Sequence, residues 1–216
     1  MTDSFRQSLD AGARLLGVSL EPVQLDQMLA YLDLLEKWAK VYNLTALRHR
    51  QEMLTHHLLD SLALITPLRR HLQTLDGAVR LLDVGSGAGL PGVVVAICCP
   101  QVAVTSVDAV AKKAAFITQV ALTLRLPNLS GKHARVEALE GSFDIITSRA
   151  FASLADFIAW SANVLAEGGV WVAMKGKHPQ EEMAALSPGL KVFHVERLQV
   201  PGLAAERCLV WISRSA

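Results

Sequence analysis

The sequence predicts an α/β protein, a mostly parallel sheet preceded by a helical cap. Three observations carry this. Before Val79 the apolar residues recur at helical spacing with no strand signal. From Val79 onward short apolar runs alternate with helical segments, the pattern of a parallel sheet covered on both faces. The first of those runs leads into a stretch with glycine at alternate positions, Asp83-Val84-Gly85-Ser86-Gly87-Ala88-Gly89-Leu90-Pro91-Gly92, and then into an apolar segment suited to a buried helix.

Taken in order, a first helix is expected from Asp3 to Leu16, ended by Gly17. From Pro22 the residues Leu25, Met28, Leu29, Leu32, Leu35, Trp38 and Tyr42 keep a helical period, with proline in the first turn and Glu36 four before Lys40. Arg48, His49, Arg50, His56 and His57 follow, then Asp60-Ser61 and an apolar stretch to Leu64. Residues 1–75 read as a helical cap belonging to the same compact unit as the sheet of residues 76–216. The expected strands are Val79 to Val84, Val102 to Val107, Leu129 to His133, Phe143 to Thr147 and Gly169 to Lys175. The helices between them are Pro91 to Cys99, Ala111 to Leu124, Leu154 to Leu165 and Pro179 to Leu186. The closing runs, Lys191 to Leu198 and Arg207 to Ser213, have no helical pattern between them and predict an antiparallel hairpin on the sheet edge.

Composition narrows the class. With 51% hydrophobic residues, the 216-residue chain is long enough for one large core and is not a disordered segment. No apolar run approaches the roughly 20 residues that span a bilayer, and the N-terminus lacks a basic region followed by an apolar stretch, so a soluble cytoplasmic protein without membrane contact is expected. A net charge of +1 gives no global attraction to nucleic acid, so any such binding needs a local patch. Cys98, Cys99 and Cys208 lack metal-ligand spacing and read as small core residues, with no metal site.

The glycine stretch makes a cradle. Its glycines let the backbone approach a ligand, and free N–H groups at the helix start favour a polar or anionic one. A dinucleotide fingerprint would place its third glycine where Leu90 stands, so that reading fits poorly; packing of a tight turn alone also calls for glycine. In such sheets ligands sit at the carboxyl ends of the strands. There Asp108, about 20 residues beyond the turn, suits the two ribose hydroxyls of a nucleoside, or else caps the next helix. Val136 and Glu137 would border an adenine. Arg149, after the fourth strand, is a permanently charged fork for a carboxylate, a phosphate or a guanine edge, or forms a structural ion pair with Asp144 or Glu137. Lys175 brings a second cation to the same edge. Neither an Asn/Asp-Pro-Pro-aromatic motif for amine methylation nor a cysteine placed for base-carbon methylation is present.

The combination of Tyr42-Asn43-Leu44-Thr45, His57-x-x-Asp60-Ser61, Asp83 to Gly92, Ser148-Arg149-Ala150-Phe151 and Met174-Lys175-Gly176 resembles the bacterial small-subunit ribosomal RNA methyltransferase G family. The resemblance runs from about Leu15 to the last strand. It implies a class I S-adenosylmethionine-dependent methyltransferase, a Rossmann-like sheet finished by an antiparallel hairpin. It further implies methylation at N7 of one guanine, guanine 527, of 16S ribosomal RNA. Naked RNA, the small ribosomal subunit and an assembly intermediate all stay open as the substrate, and a monomer is expected. By carry-over Gly85, Leu90, Val136, Glu137 and Arg149 contact S-adenosylmethionine, and Asp108 matches the acidic residue after the second strand; Asp83, Gly87 and Gly89 complete that half of the site.

The chemistry agrees with that target. Guanine N7 carries a free lone pair, so no general base is expected, and Arg149 and Lys175 would act by positioning. Arg48, Arg50, His57, Lys175, Lys177, Arg197 and Arg207 are the candidate RNA surface, although each alone also reads as a solvated charge. Two alternatives remain on sequence alone: a methyltransferase for another RNA, a protein or a small molecule, and a non-catalytic binding module. Asp108 beside an intact glycine turn speaks against the second.

Overall fold

The computed structural model describes residues 2–215. Helices α1 (Thr2–Leu15) and α2 (Pro22–Ala39) are followed by α3 (Arg50–Met53), a π-helical stretch at Leu54–Leu59, α4 (Asp60–Leu62) and α5 (Ile65–Leu72). Glu21 starts α2 with reciprocal bonds to Gln24, a capping box, and Pro22 occupies the first turn where its missing N–H costs nothing. The helix stops at Ala39, short of the Tyr42 that periodicity suggests. Tyr42 keeps the pattern because a closing turn follows the helix: its N–H donates to the Trp38 carbonyl at 2.8 Å and its ring packs on Trp38, with centroids 5.4 Å apart.

The sheet holds β1 (Arg80–Val84), β2 (Ala103–Asp108), β3 (Leu129–His133), β4 (Phe143–Arg149), β5 (Leu165–Lys175), β6 (Leu190–Leu198) and β7 (Arg207–Arg214), in the order β3-β2-β1-β4-β5-β7-β6. The first five are parallel, and β7 runs antiparallel between β5 and the edge strand β6. Strand order reverses between β1 and β4, the place where such sheets bind ligands. The connecting helices are α6 (Gly92–Cys98), α7 (Ala111–Thr123), α8 (Leu154–Ser161) and α9 (Gln180–Ala184). Helix α8 ends four residues before the expected Leu165, and β5 begins there rather than at Gly169. Leu165 pairs with Phe143, and the ladder shifts register before Ile145, so glycines that read as the strand's start lie inside an irregular part of it.

Alternate strand residues feed two apolar layers, as the period-2 pleat requires. Leu81 and Leu209 join Tyr31, Leu58, Val93 and Phe116 on the side covered by the cap, α6 and α7. Leu82 and Val210 join Phe157 and Trp171 under α8. Every residue of α6 is buried, because the helix lies between the cap and the sheet, so it is apolar all round rather than striped. Tyr31 on α2 donates its hydroxyl to the carbonyl of Ala88 at 2.9 Å, which ties the cap to the glycine turn. The three cysteines are buried, and burial pushes the Cys98 thiol up to about 12. No helix among the described residues is long and apolar enough to cross a membrane.

Candidate functional site

Two clefts open at the carboxyl ends of the parallel strands. The first, of about 410 Å³, lies over the ends of β1 and β2 and is lined by Gly85, Asp108, Lys113, Arg135, Val136 and Glu137, with Phe151 and Trp160 as its aromatic wall. The second, of about 590 Å³, lies over the ends of β4 and β5 and is lined by His56, His57, Asp60, Arg149, Lys175 and Arg207. Ala150 and Phe151 line both and form the partition. Ala150 holds the left-handed region at φ 49°, unusual for a residue with a Cβ and a conformation that concentrates at functional sites.

The turn of the first cleft is built locally. Gly85 stands at φ 65°, and a Cβ there would meet the Phe151 ring at 2.1 Å. Gly89, at φ 88°, packs so closely on α6 and α7 that a Cβ would meet Val93 at 2.8 Å and Ile117 at 3.1 Å. Asp83 lies beneath the turn with no exposure. Its Oδ2 accepts the Gly92 N–H at 2.9 Å and the Ser106 hydroxyl at 3.3 Å. Burial pushes this carboxyl up to about 7, against the opposing pull of the Gly92 N–H and of Arg149. Asp83 therefore braces the start of α6 and lines neither cleft, as do Gly89 and the buried Leu90. Gly92 belongs to the same brace, since a Cβ there would meet Ser106 Oγ at 2.2 Å.

Asp108 faces the cleft with both oxygens already engaged. Oδ2 accepts the Gly87 N–H at 2.9 Å and Oδ1 the Val110 N–H at 2.8 Å at the start of α7. The helix-capping role and the cleft-lining position thus coexist, because each carboxylate oxygen retains a further lone pair for a ligand hydroxyl. Val136 is buried in a 3₁₀ turn and offers an apolar floor, while Glu137 beside it is exposed. Phe151 and Trp160 meet edge to face at 5.7 Å. Trp160 and Lys113 were invisible to sequence reasoning at this cleft: both are helical residues whose spacing says nothing about a ligand.

The second cleft is assembled from distant parts of the chain. Arg149 does not pair with Asp144, whose carboxylate accepts the Arg80 N–H, nor with Glu137. Its Nη1 donates to Asp60 Oδ2 at 2.8 Å and to the His56 carbonyl at 2.7 Å. Arg207, at the start of β7, donates from Nε to Asp60 Oδ1 at 2.7 Å. Arg149, expected to touch the cofactor as well, lines only this second cleft. Lys175 is paired with Glu182 at 2.8 Å, and the same carboxylate accepts the Leu154 N–H at the start of α8. His57 is half-buried; its Nε2 lies 2.8 Å from Thr45 Oγ1, and burial, helped by Arg149, pushes it down to about 4.

The other basic residues of the expected RNA surface are dispersed. Arg50 is paired with Asp33 and Glu36 and lies over the Phe5 ring, in a crevice of the cap itself, and Arg48 is exposed with one long contact to the Ala39 carbonyl. Neither lines the second cleft. Arg197 lies with His178 and Arg207 along a groove that adjoins it, and Lys177 is exposed nearby.

A family model described as rRNA small subunit methyltransferase G matches residues 24–210. The chain is 65% identical over 208 residues to the ribosomal RNA small subunit methyltransferase G of Polaromonas sp. (strain JS666), covering 95% of this chain and 92% of that protein. In fold it is similar to TrmN from Thermus thermophilus, with a TM-score of 0.57 at 18% identity over 75% of this chain and 53% of that one. It is similar in the same way to a SAM-dependent methyltransferase from Thiobacillus denitrificans solved with S-adenosyl-L-homocysteine, with a TM-score of 0.51 at 13% identity over 70% of this chain and 90% of that one.

Proposed function

Because this chain belongs to the rRNA small subunit methyltransferase G family, we propose that it methylates N7 of a single guanine of 16S ribosomal RNA, working in the cytoplasm where that RNA is assembled. S-adenosylmethionine is the methyl donor, and when bound it supplies an electrophilic sulfonium methyl. The observation that carries the reading is the pair of clefts that share the Ala150–Phe151 partition, one built like a nucleoside site and the other lined by arginines.

The residues present suit the donor. Gly85 lines the cleft with the Phe151 ring packed where a Cβ would stand, and Asp108 presents acceptor lone pairs beside it. Val136 and Trp160 offer apolar faces for a purine, with Arg135 and Glu137 at the rim. Phe151, which lines both clefts, would stand between a donor held there and the arginines of the second cleft.

For the acceptor, chemistry sets the demand. Guanine N7 has its lone pair exposed in the neutral base, so no side chain must remove a proton before attack. Charge moves from sulfur to purine without net creation, and the chain gains most by holding the two partners in line. Arg149 and Arg207, fixed by Asp60, are suited to that task. His57, held neutral and bonded to Thr45, shapes the wall and takes no proton.

The test is transfer of labelled methyl to small ribosomal subunits, and to bare 16S RNA, from cells lacking this protein, followed by mapping of the modified base. One N7-methylguanine is expected. Label on another atom, on several bases or on ribosomal protein overturns the reading.

A further inference from the structure

Asp60 is a buried carboxylate, 3% exposed, whose two oxygens are divided between two arginines of the second cleft. The partners come from the end of β4 and the start of β7, while Asp60 itself comes from the cap, one residue past the π-helical stretch Leu54–Leu59. Such stretches occur often at functional sites, because the wider turn redirects one or two residues out of helical register. Here it sends the His56 carbonyl and the Asp60 carboxylate to the same guanidinium, at 2.7 and 2.8 Å. Hydrogen bonds with the described residues engage Arg149 through Nη1 and Arg207 through Nε and Nη1. Nε and Nη2 of Arg149 and Nη2 of Arg207 remain for a ligand in the cleft that both line.

Charge narrows the ligand. Two guanidinium groups against one carboxylate leave this unit at +1, and Lys175 beside it is balanced by Glu182. A single monoanionic oxyanion complements that charge, and arginine forks suit its geometry. As a staple between cap and sheet the arrangement would contribute little, since desolvating three charges offsets most of their attraction. As a preorganised fork it removes in advance the rotamer entropy that two free arginines would lose on binding.

We propose that Asp60 is a positioning residue that joins Arg149 and Arg207 into one rigid fork for a phosphodiester group of the target RNA, fixing the nucleotide whose base is methylated. This rests on the reading of the chain as a ribosomal RNA methyltransferase. The cofactor's carboxylate has the same chemistry, but the donor cleft lies across the Phe151 partition, which favours the RNA as the source.

The experiment compares the native chain with Asp60→Asn, Arg149→Ala, Arg207→Ala and the double variant Asp60→Asn/Arg149→Ala. The readouts are melting temperature, calorimetry with S-adenosylhomocysteine, RNA binding across a salt series, and single-turnover methylation of unmodified small subunits at saturating cofactor. Asp60→Asn is expected to bind the cofactor product normally and to bind RNA as tightly or more tightly, because it removes a negative charge. Its methyl transfer should nevertheless slow by on the order of 10- to 100-fold, as a loosened fork misplaces the base. That loss should vanish in the Arg149→Ala background, since a residue acting through Arg149 has nothing left to position. A full rate in Asp60→Asn, losses that multiply in the double variant, or weakened cofactor binding overturns the proposal. A lower melting temperature with the rate retained does so too, and shows a staple. If Asp60→Asn does not fold, Arg207→Ala decides by itself, with slowed transfer and a salt slope reduced by about one counterion expected, and an unchanged slope overturning the fork. If the native chain fails to methylate the particle, the proposed function falls, and the salt slopes of the two arginine variants still decide whether a phosphodiester is held here.

Discussion

The two clefts at the sheet's carboxyl edge are built by opposite means. The glycine-turn cleft rests on chain neighbours: Gly85 lines it, Asp83, Gly87 and Gly92 shape the turn behind it, and Asp108 closes it from the adjacent strand with bonds to backbone N–H groups. The arginine cleft is made of residues far apart in the chain, with Asp60 joined to Arg149 and to Arg207 through side chains alone. Backbone geometry makes the first site depend chiefly on its glycines and carboxylates. Ion pairs make the second depend on each partner, so the two should respond differently to substitution.

The largest expected effect is at Arg149. Arg149→Ala should slow single-turnover methyl transfer on the order of 100-fold, because loss of the fork misplaces the base by a fraction of its contact distance. Arg149→Lys should be nearly as slow, since a lysine cannot bridge the His56 carbonyl, Asp60 and a ligand in one plane. Calorimetry should find S-adenosylhomocysteine affinity little changed in both variants. A lysine variant near the native rate would reduce Arg149 to a diffuse charge and erase the contrast between the clefts.

Asp108→Ala should do the reverse, weakening cofactor binding by about 1.5 to 3 kcal/mol while RNA affinity holds, the range for hydrogen bonds to a charged acceptor. The freed Gly87 and Val110 N–H groups should also lower the melting temperature modestly, so both are measured together. Unchanged calorimetry would move the cofactor away from this cleft.

Acid should separate the clefts as well. His57, beside Asp60, is held near a pKa of about 4 against 6.5 for the free side chain. Between those values the unfolded chain takes up a proton that the folded chain refuses. This contribution is therefore fully present above pH 6.5 and is lost as pH falls toward 4, by about 2 kcal/mol at pH 4.5 after allowance for partial exposure. His57→Gln, which keeps a partner for Thr45 and does not titrate, should flatten that slope in denaturant melts at pH 7 and 4.5. Parallel slopes in the two proteins would assign the acid sensitivity elsewhere.

The smallest effect is expected at the partition. Phe151 sits on Gly85 at the side of the glycine-turn cleft that faces the arginine cleft, so Phe151→Ala should clear that space and tighten S-adenosylhomocysteine binding by a few-fold, roughly 1 kcal/mol. Weaker binding would make the ring a direct cofactor contact and the partition a fixed wall.

How much of this was legible follows from the same contrast. The alternation of strands and helices, the closing hairpin, the glycine turn and the acidic residue that ends β2 are properties of local period and short spacing, which the chain states directly. Even there, the pattern overran α2 and α8 by a few residues, because Tyr42 and Leu165 stay packed against the core beyond the last regular helical turn. The sequence by itself determined the strand order's raw material, the cradle, and the placing of Arg149 and Lys175 at the carboxyl ends of β4 and β5. Only the tertiary structure decided which charges stand free and which are spent: that Asp60 unites Arg149 with Arg207, that Glu182 takes Lys175, that Arg50 turns into the cap, and that Asp83 braces the turn from below. Ion pairing depends on side chains meeting across the fold, and no periodicity along the chain encodes a meeting between residues 60, 149 and 207.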